Sequence, residues 1–350
     1  MHGGILQHPL YASVGTKFLS LEGLRGILAV LVCVGHLGLN TVANKVGLTV
    51  HFGLAVDVFF ALSGFVLCYS NYFGRRSLQR FTLGRFARLY PLHVITLFAM
   101  AIMSPTLGTA FSRLEFIESL TLLQNIGLPP NRLAFNFPAW SISVEVWVSI
   151  LFYFALQGKG LRFRLPLLLC AMLAPVLFVP SYITGDAENV FSFFNLGLMR
   201  GIAGFSAGAI AFLLFDRFGE KFVFPPIVPY ALLFILAGFF FLDEWRNGLP
   251  AIFYAILIAV LVSLAANHRS TILCTSPMVF LGTISYSIYL LHIPVYSALA
   301  FAFGEGVVRG TGKALVLTAI LIAGWASYKW IERPSQRLIL NRRPVGYETS

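Results

Sequence analysis

LEGLRGILAVLVCVGH, residues 21–36, is the stretch that decides the fold. It is an apolar run with Glu22 and Arg25 near its start and His36 at its end. Ionisable groups inside such a run are costly in a bilayer and usually functional. Arg25 and His36 are eleven residues apart. At about 100° per residue they return close to one helix face, about 16 Å apart along the axis. They cannot touch, but they suit the two ends of one elongated molecule: phosphates near Arg25, and a thioester near His36. The plainer reading is a snorkelling arginine and a hydrogen-bonded core histidine.

Similar runs fill the chain. Of 350 residues, 58% are hydrophobic and 11% charged, and the mean hydropathy is +0.81. A soluble domain carries about 25% charged residues, so this chain cannot wet a globular surface. Disorder, collagen and small disulfide scaffolds are excluded. The runs are continuous, not alternating, which argues against an outer-membrane barrel. The expectation is an all-α polytopic membrane protein with about ten transmembrane helices. Spans are expected near 24–41, 54–71, 87–104, 139–157, 165–181, 195–215, 227–242, 250–266, 279–301 and 314–331. No internal repeat or long linker divides the chain, so residues 1–350 read as one domain, with short tails at about 1–16 and 335–350. No cleavable signal peptide is evident.

Basic residues orient the helices. Seventeen fall in the loops and tails of one side and seven on the other, so both termini are expected in the cytoplasm. This bias accounts for most of the net charge of +11, and nucleic-acid binding is not inferred from it. The four cysteines form no CxxC pair and read as small buried hydrophobes, with no disulfide or metal signal.

Other polar groups fall within the spans. Asp57 in VDVFFALSGF and Glu145 in WSISVEVW are expected at the depth of His36, where a carboxylate would orient the imidazole. A helix N-terminal charge for Asp57 and an arginine pair for Glu145 are the structural alternatives. RFARLYPLH opens span three with Arg85 and Arg88 on one face at the inner surface. Arginine gives bidentate phosphate contacts; positive-inside signalling plus a proline kink is the alternative. LGTISYSIYLLHIPV places Tyr286, Tyr289 and His292 on an approximate stripe reaching mid-membrane.

Together these blocks resemble the membrane acyltransferase family 3, which O-acylates surface polysaccharides and some small natural products. They are LEGLRGILAVLVCVGH, VDVFFALSGFVL, RFARLYPLH, TLLQN followed by WSISVE, LGTISYSIYLLHIPV and the terminal IERP, Ile331–Pro334. The resemblance runs from about residue 17 to 338. It implies transfer of an acyl group, commonly acetyl, from cytoplasmic acyl-CoA to an acceptor across the membrane. It carries the family's catalytic Arg-x10-His pair onto Arg25 and His36. The family's second glutamate after WSxSVE is Val146 here, which leaves only Glu145. Some members carry a C-terminal esterase-like domain, and none is expected in this chain.

The expected roles are His36, Glu145 and Asp57 for catalysis, and Arg25, Arg85 and Arg88 for the coenzyme. Trp140, Ser143, Tyr286 and His292 are the expected acceptor contacts. A carbohydrate acceptor also suits Asn131, Asn136 and Trp140 in the loop 105–138. No permanently bound cofactor, metal or nucleic acid is expected; acyl-CoA enters as the donor, and the inner membrane is the site. A transporter or flippase of a lipid-linked or small glycosylated substrate is the rival reading, although internal repeats are missing.

Overall fold

The computed structural model describes residues 18–39, 50–74, 77–103, 112–126, 135–156, 165–178, 189–191, 194–219, 224–242, 249–267, 269, 271–304, 306 and 310–341. Its helices are α1 (Leu19–Val34), α2 (Leu54–Gly74), α3 (Leu78–Met103), α4 (Arg113–Leu120), α5 (Ala139–Leu156), α6 (Leu165–Phe178) and α7 (Leu196–Phe218). They continue with α8 (Ile227–Phe239), α9 (Leu249–Ala266), α10 (Ser276–Thr283), α11 (Ser285–Phe303), α12 (Gly312–Ser327) and α13 (Arg333–Asn341). A short antiparallel ribbon, β1 (Asn189–Phe191) and β2 (Phe194–Asn195), precedes α7. Among the described residues the protein is thus almost wholly α-helical, with this small exception.

Six stretches among the described residues are long and apolar enough to cross a bilayer: Leu19–Gly38, Leu78–Met103, Leu196–Phe218, Leu249–Ala266, Ser285–Phe303 and Gly312–Leu340. Leu54–Ser70, Ala139–Ala155 and Ile227–Phe239 are shorter apolar helices. This is a multi-pass membrane protein.

Helix α7 is central: α2, α5, α6 and α9 all pack on it. Its sequence explains why. A Cβ added at Gly204 would stand 2.6 Å from the Phe60 Cβ, and one at Gly208 would stand 1.9 Å from the Ala61 carbonyl oxygen. This GxxxG spacing lets the α2 and α7 backbones meet closely, the arrangement by which dispersion and not hydrophobicity holds membrane helices together. Phe60, Phe65, Phe205 and Phe212 then fill the seam.

Several helix limits differ from the apolar runs. Helix α3 starts at Leu78, nine residues before the expected 87, so Arg85 and Arg88 lie about two turns inside it and not at its mouth. Hydropathy marks where a helix enters hydrocarbon, whereas backbone hydrogen bonding continues through the polar residues before it. Span nine is two helices, α10 and α11, meeting at Ile284. The tail expected from 335 is instead helical as far as Asn341, and α13 packs against α3. Cys33 and Cys68 are buried as expected, but Cys170 is exposed on α6 and Cys274 is half-buried.

Candidate active site

A cavity of about 390 Å³ opens between α1, α2, α3, α5 and α11, with Leu340 of α13 at its edge. Its volume lies in the range of small-molecule sites. The three predicted arginines, Arg25, Arg85 and Arg88, all line it. Glu145 and Tyr286 line it too, together with Ser63, Ser141 and Tyr289. The earlier start of α3 carries its two arginines inward to this wall.

Glu145 is engaged there. Its Oε1 accepts from Arg85 Nη1 at 3.0 Å and from Ser63 Oγ at 3.1 Å. Arg25 lies 3.5 Å from Glu22, its own helical neighbour. Arg88 is exposed to the cavity. Three guanidinium groups face two carboxylates, Glu145 on Arg85 and Glu22 on Arg25, which leaves the cavity wall net cationic, with planar donors suited to phosphate oxygens. Tyr286 is buried and donates to the Leu89 carbonyl.

His36 stands beyond this cavity. Helix α1 keeps α-helical bonding only as far as Val34 and then widens into a π-turn over Gly35–Leu39, with Gly38 at φ 79°. Such turns occur often at functional sites. Arg25 faces the cavity, while the exposed His36 ring faces Phe137 at 5.8 Å and His292 at 4.9 Å between centroids. The His36 Nδ1 lies 3.0 Å from the Val32 carbonyl oxygen. His292 joins the two regions: its ring lies 5.9 Å from that of Tyr289, which lines the cavity and shares a 2.8 Å hydrogen bond with Ser141.

The expected convergence of Asp57 and Glu145 on His36 is not present. Neither carboxylate bonds the imidazole. Glu145 belongs to the arginine cavity. Asp57, 0% exposed, accepts from Arg200 at 2.6 and 3.2 Å and from the Tyr254 hydroxyl at 3.0 Å. Arg200 also donates to the Gly53 carbonyl and lies over the Trp140 ring. This buried cluster ties α2, α5, α7 and α9 together. Arg200 is one of the seven basic residues on the less basic side, yet it sits within α7 and is 7% exposed. An arginine in the apolar segment LGLMRGIAGF was the signal for it.

The expected acceptor contacts separate as well. Tyr286 lines the cavity, but Trp140 is buried beneath Arg200. Ser143 donates to the Leu122 carbonyl at 2.6 Å, beside Trp147 Nε1 at 2.8 Å, and so braces the turn where Leu122 has φ 58°. Asn136 is buried and donates to the Leu290 carbonyl at 2.9 Å. That carbonyl is free because Pro294, four residues on, has no N–H to give it. Asn131 lies outside the described residues. Ser141 of the WSISVE block bonds Tyr289, and two residues not singled out from the sequence complete the site: Ser63 on Glu145, and Phe137, 42% exposed beside His36.

The family model described as acyltransferase domain matches residues 18–329. The chain belongs to this acyltransferase family. It is 29% identical to the acyltransferase MdmB of Streptomyces mycarofaciens, over 93% of this chain and 94% of that one. It is 29% identical to the exopolysaccharide production protein ExoZ of Rhizobium meliloti, over 84% and 93%. The peptidoglycan O-acetyltransferase OatA of Listeria monocytogenes is 25% identical over 91% of this chain, which spans 56% of OatA. No solved structure matches the chain. The protein is therefore a membrane acyltransferase, and the transporter alternative is set aside.

Proposed function

We propose that this acyltransferase moves an acyl group, acetyl in the simplest case, from cytoplasmic acyl-CoA to a hydroxyl of an extracytoplasmic carbohydrate. The observation that carries the reading is a junction. Ring contacts run from the cavity lined by Arg25, Arg85 and Arg88 through Tyr289 and His292 to the exposed imidazole of His36. The arginines suit the coenzyme phosphates. The imidazole suits the reacting thioester. The acceptor class follows ExoZ and OatA, whose names refer to exopolysaccharide and peptidoglycan. The exposed Phe137 beside His36 offers a ring on which a sugar can stack. The excess of basic residues on one side of the helices supports an inner-membrane protein of about ten spans with both termini in the cytoplasm.

The tautomer of His36 follows from its partner. A carbonyl only accepts, so the Nδ1 facing Val32 carries hydrogen and Nε2 is the basic nitrogen. On the direct route, Nε2 takes the acceptor's hydroxyl proton as that oxygen attacks the thioester carbonyl carbon. The carbon–sulfur bond then breaks, and the proton passes to the departing thiolate. On the two-step route, Nε2 itself attacks and the acceptor resolves an acyl-imidazole.

The test uses purified protein in lipid with radiolabelled acetyl-CoA and a panel of polysaccharides. Label in a carbohydrate with the wild type, and none with His36→Ala, supports the reading. Equal transfer by both overturns it. With no acceptor present, labelled protein selects the two-step route and unlabelled protein the direct one.

A further inference from the structure

Gly35, His36, Leu37 and Gly38 of the π-turn are each held differently. Gly35 rests on Phe52: a Cβ added there would stand 2.5 Å from the Phe52 Cγ. Leu37 is buried in a small apolar cluster with Val316 and Ile320 of α12. The Gly38 carbonyl accepts from the Lys313 ammonium at 3.2 Å, across 275 positions of sequence. His36 is the one exposed residue of the four. The turn is thus fixed on both sides of the imidazole, and the imidazole projects from it.

Of these contacts the lysine is the least expected. Lys313 occupies the first turn of its own helix, α12 (Gly312–Ser327). A cation is disfavoured at a helix N-terminus, where unpaired N–H groups carry partial positive charge, and favoured at a C-terminus. The Gly38 carbonyl stands at a C-terminus: the membrane-length stretch that begins at Leu19 ends at Gly38, whose φ of 79° leaves the helical region. Lys313 therefore sits at the unfavourable end of α12 and at the favourable end of the helix that carries His36. The last carbonyls of a helix have no partner within it, and in a bilayer they need one from elsewhere. Lysine side chains supply such bonds.

We propose that Lys313 is a positioning residue for His36, its ammonium capping α1 at the Gly38 carbonyl and so fixing the π-turn that presents the imidazole. This rests on the acyl-transfer reading above. Lys313 does not line the arginine cavity, and it acts through the backbone two residues beyond His36. The apolar contacts of Gly35 and Leu37 press the turn into place without direction. The ammonium–carbonyl bond adds the direction, and it ties the turn to a helix that itself packs on α1 and α11 through the Leu37 cluster. The demand on this turn is geometric. The imidazole has to meet a hydroxyl and a thioester carbon together, and a misplacement of about 1 Å can cost about 100-fold in rate. Uncapped helix ends fray.

The experiment compares the full-length wild type, Lys313→Met, Lys313→Arg and His36→Ala in lipid vesicles. Calorimetric titration with acetyl-CoA counts the binding-competent sites, and kcat is expressed per site, so that misfolded protein does not lower it. Lys313→Met, which keeps the stem and loses the donor, is expected to lower kcat roughly tenfold or more with acetyl-CoA KM within about twofold, because the turn moves and the donor cavity does not. Lys313→Arg, which keeps a cationic donor, is expected to be at least about threefold more active than Lys313→Met on the same scale. If methionine does not allow folding, Lys313→Ala replaces it. A smaller fall in kcat in the variant lacking the donor overturns the proposal, as does a larger change in donor KM or an arginine variant no more active than the methionine one. Wild-type activity in His36→Ala would instead overturn the acyl-transfer reading itself, whereas an inactive His36→Ala beside a fully active Lys313→Met would overturn the role of Lys313 alone.

Discussion

Arg85 and Glu145, 60 residues apart in sequence, form a 3.0 Å ion pair inside the arginine cavity. Glu145 thereby sets where the Arg85 guanidinium points, and Ser63 fixes the carboxylate from the other side. The carboxylate expected to orient the imidazole instead orients an arginine of the cavity that we propose holds the donor.

Arg85→Ala should raise the acyl-CoA KM by about tenfold or more, since a charge-assisted phosphate contact contributes about 1.5–3 kcal/mol. Glu145→Gln should keep a hydrogen bond to Arg85 and change donor KM by less than Arg85→Ala does. Steady-state kinetics over an acetyl-CoA series measures both. Equal KM values for Arg85→Ala and wild type would remove Arg85 from the donor site.

His36→Ala should lower kcat by about 100-fold to 10,000-fold, the range for loss of a general base. Acetyl-CoA should still raise the variant's Tm, because the cavity proposed to hold the phosphates does not include His36. Thermal unfolding with and without acetyl-CoA separates lost chemistry from lost binding.

Asp57→Asn should strongly destabilise the protein without touching the cavity. Arg200 would keep a buried charge without its carboxylate partner, and breaking such a pair costs about 3–5 kcal/mol. The double change Asp57→Asn with Arg200→Met should recover part of the lost Tm. A single variant as stable as wild type would show that the pair does not hold α2 to α7.

Phe137→Ala should weaken acceptor use while sparing the donor. Loss of one aromatic contact of about 0.5–1.5 kcal/mol corresponds to a rise in acceptor KM of up to about tenfold. Titrating the acceptor at saturating acetyl-CoA measures it. A changed donor KM with an unchanged acceptor KM would place Phe137 elsewhere.

The amino-acid sequence alone determined the environment and the chemical endowment of this protein. Hydropathy is a local property, so apolar runs were enough to announce membrane helices, and Arg25, Arg85, Arg88 and His36 stood out against them. The tertiary structure decided which of these groups meet. Asp57 lies against Arg200, Glu145 against Arg85 and His36 against His292 because of how α2 packs on α7, α5 on α3, and α1 on α11. Helix periodicity fixes only the face on which a side chain stands. The face opposite belongs to another helix, often more than a hundred residues away, and close approach at small residues such as Gly204 and Gly208 selects it.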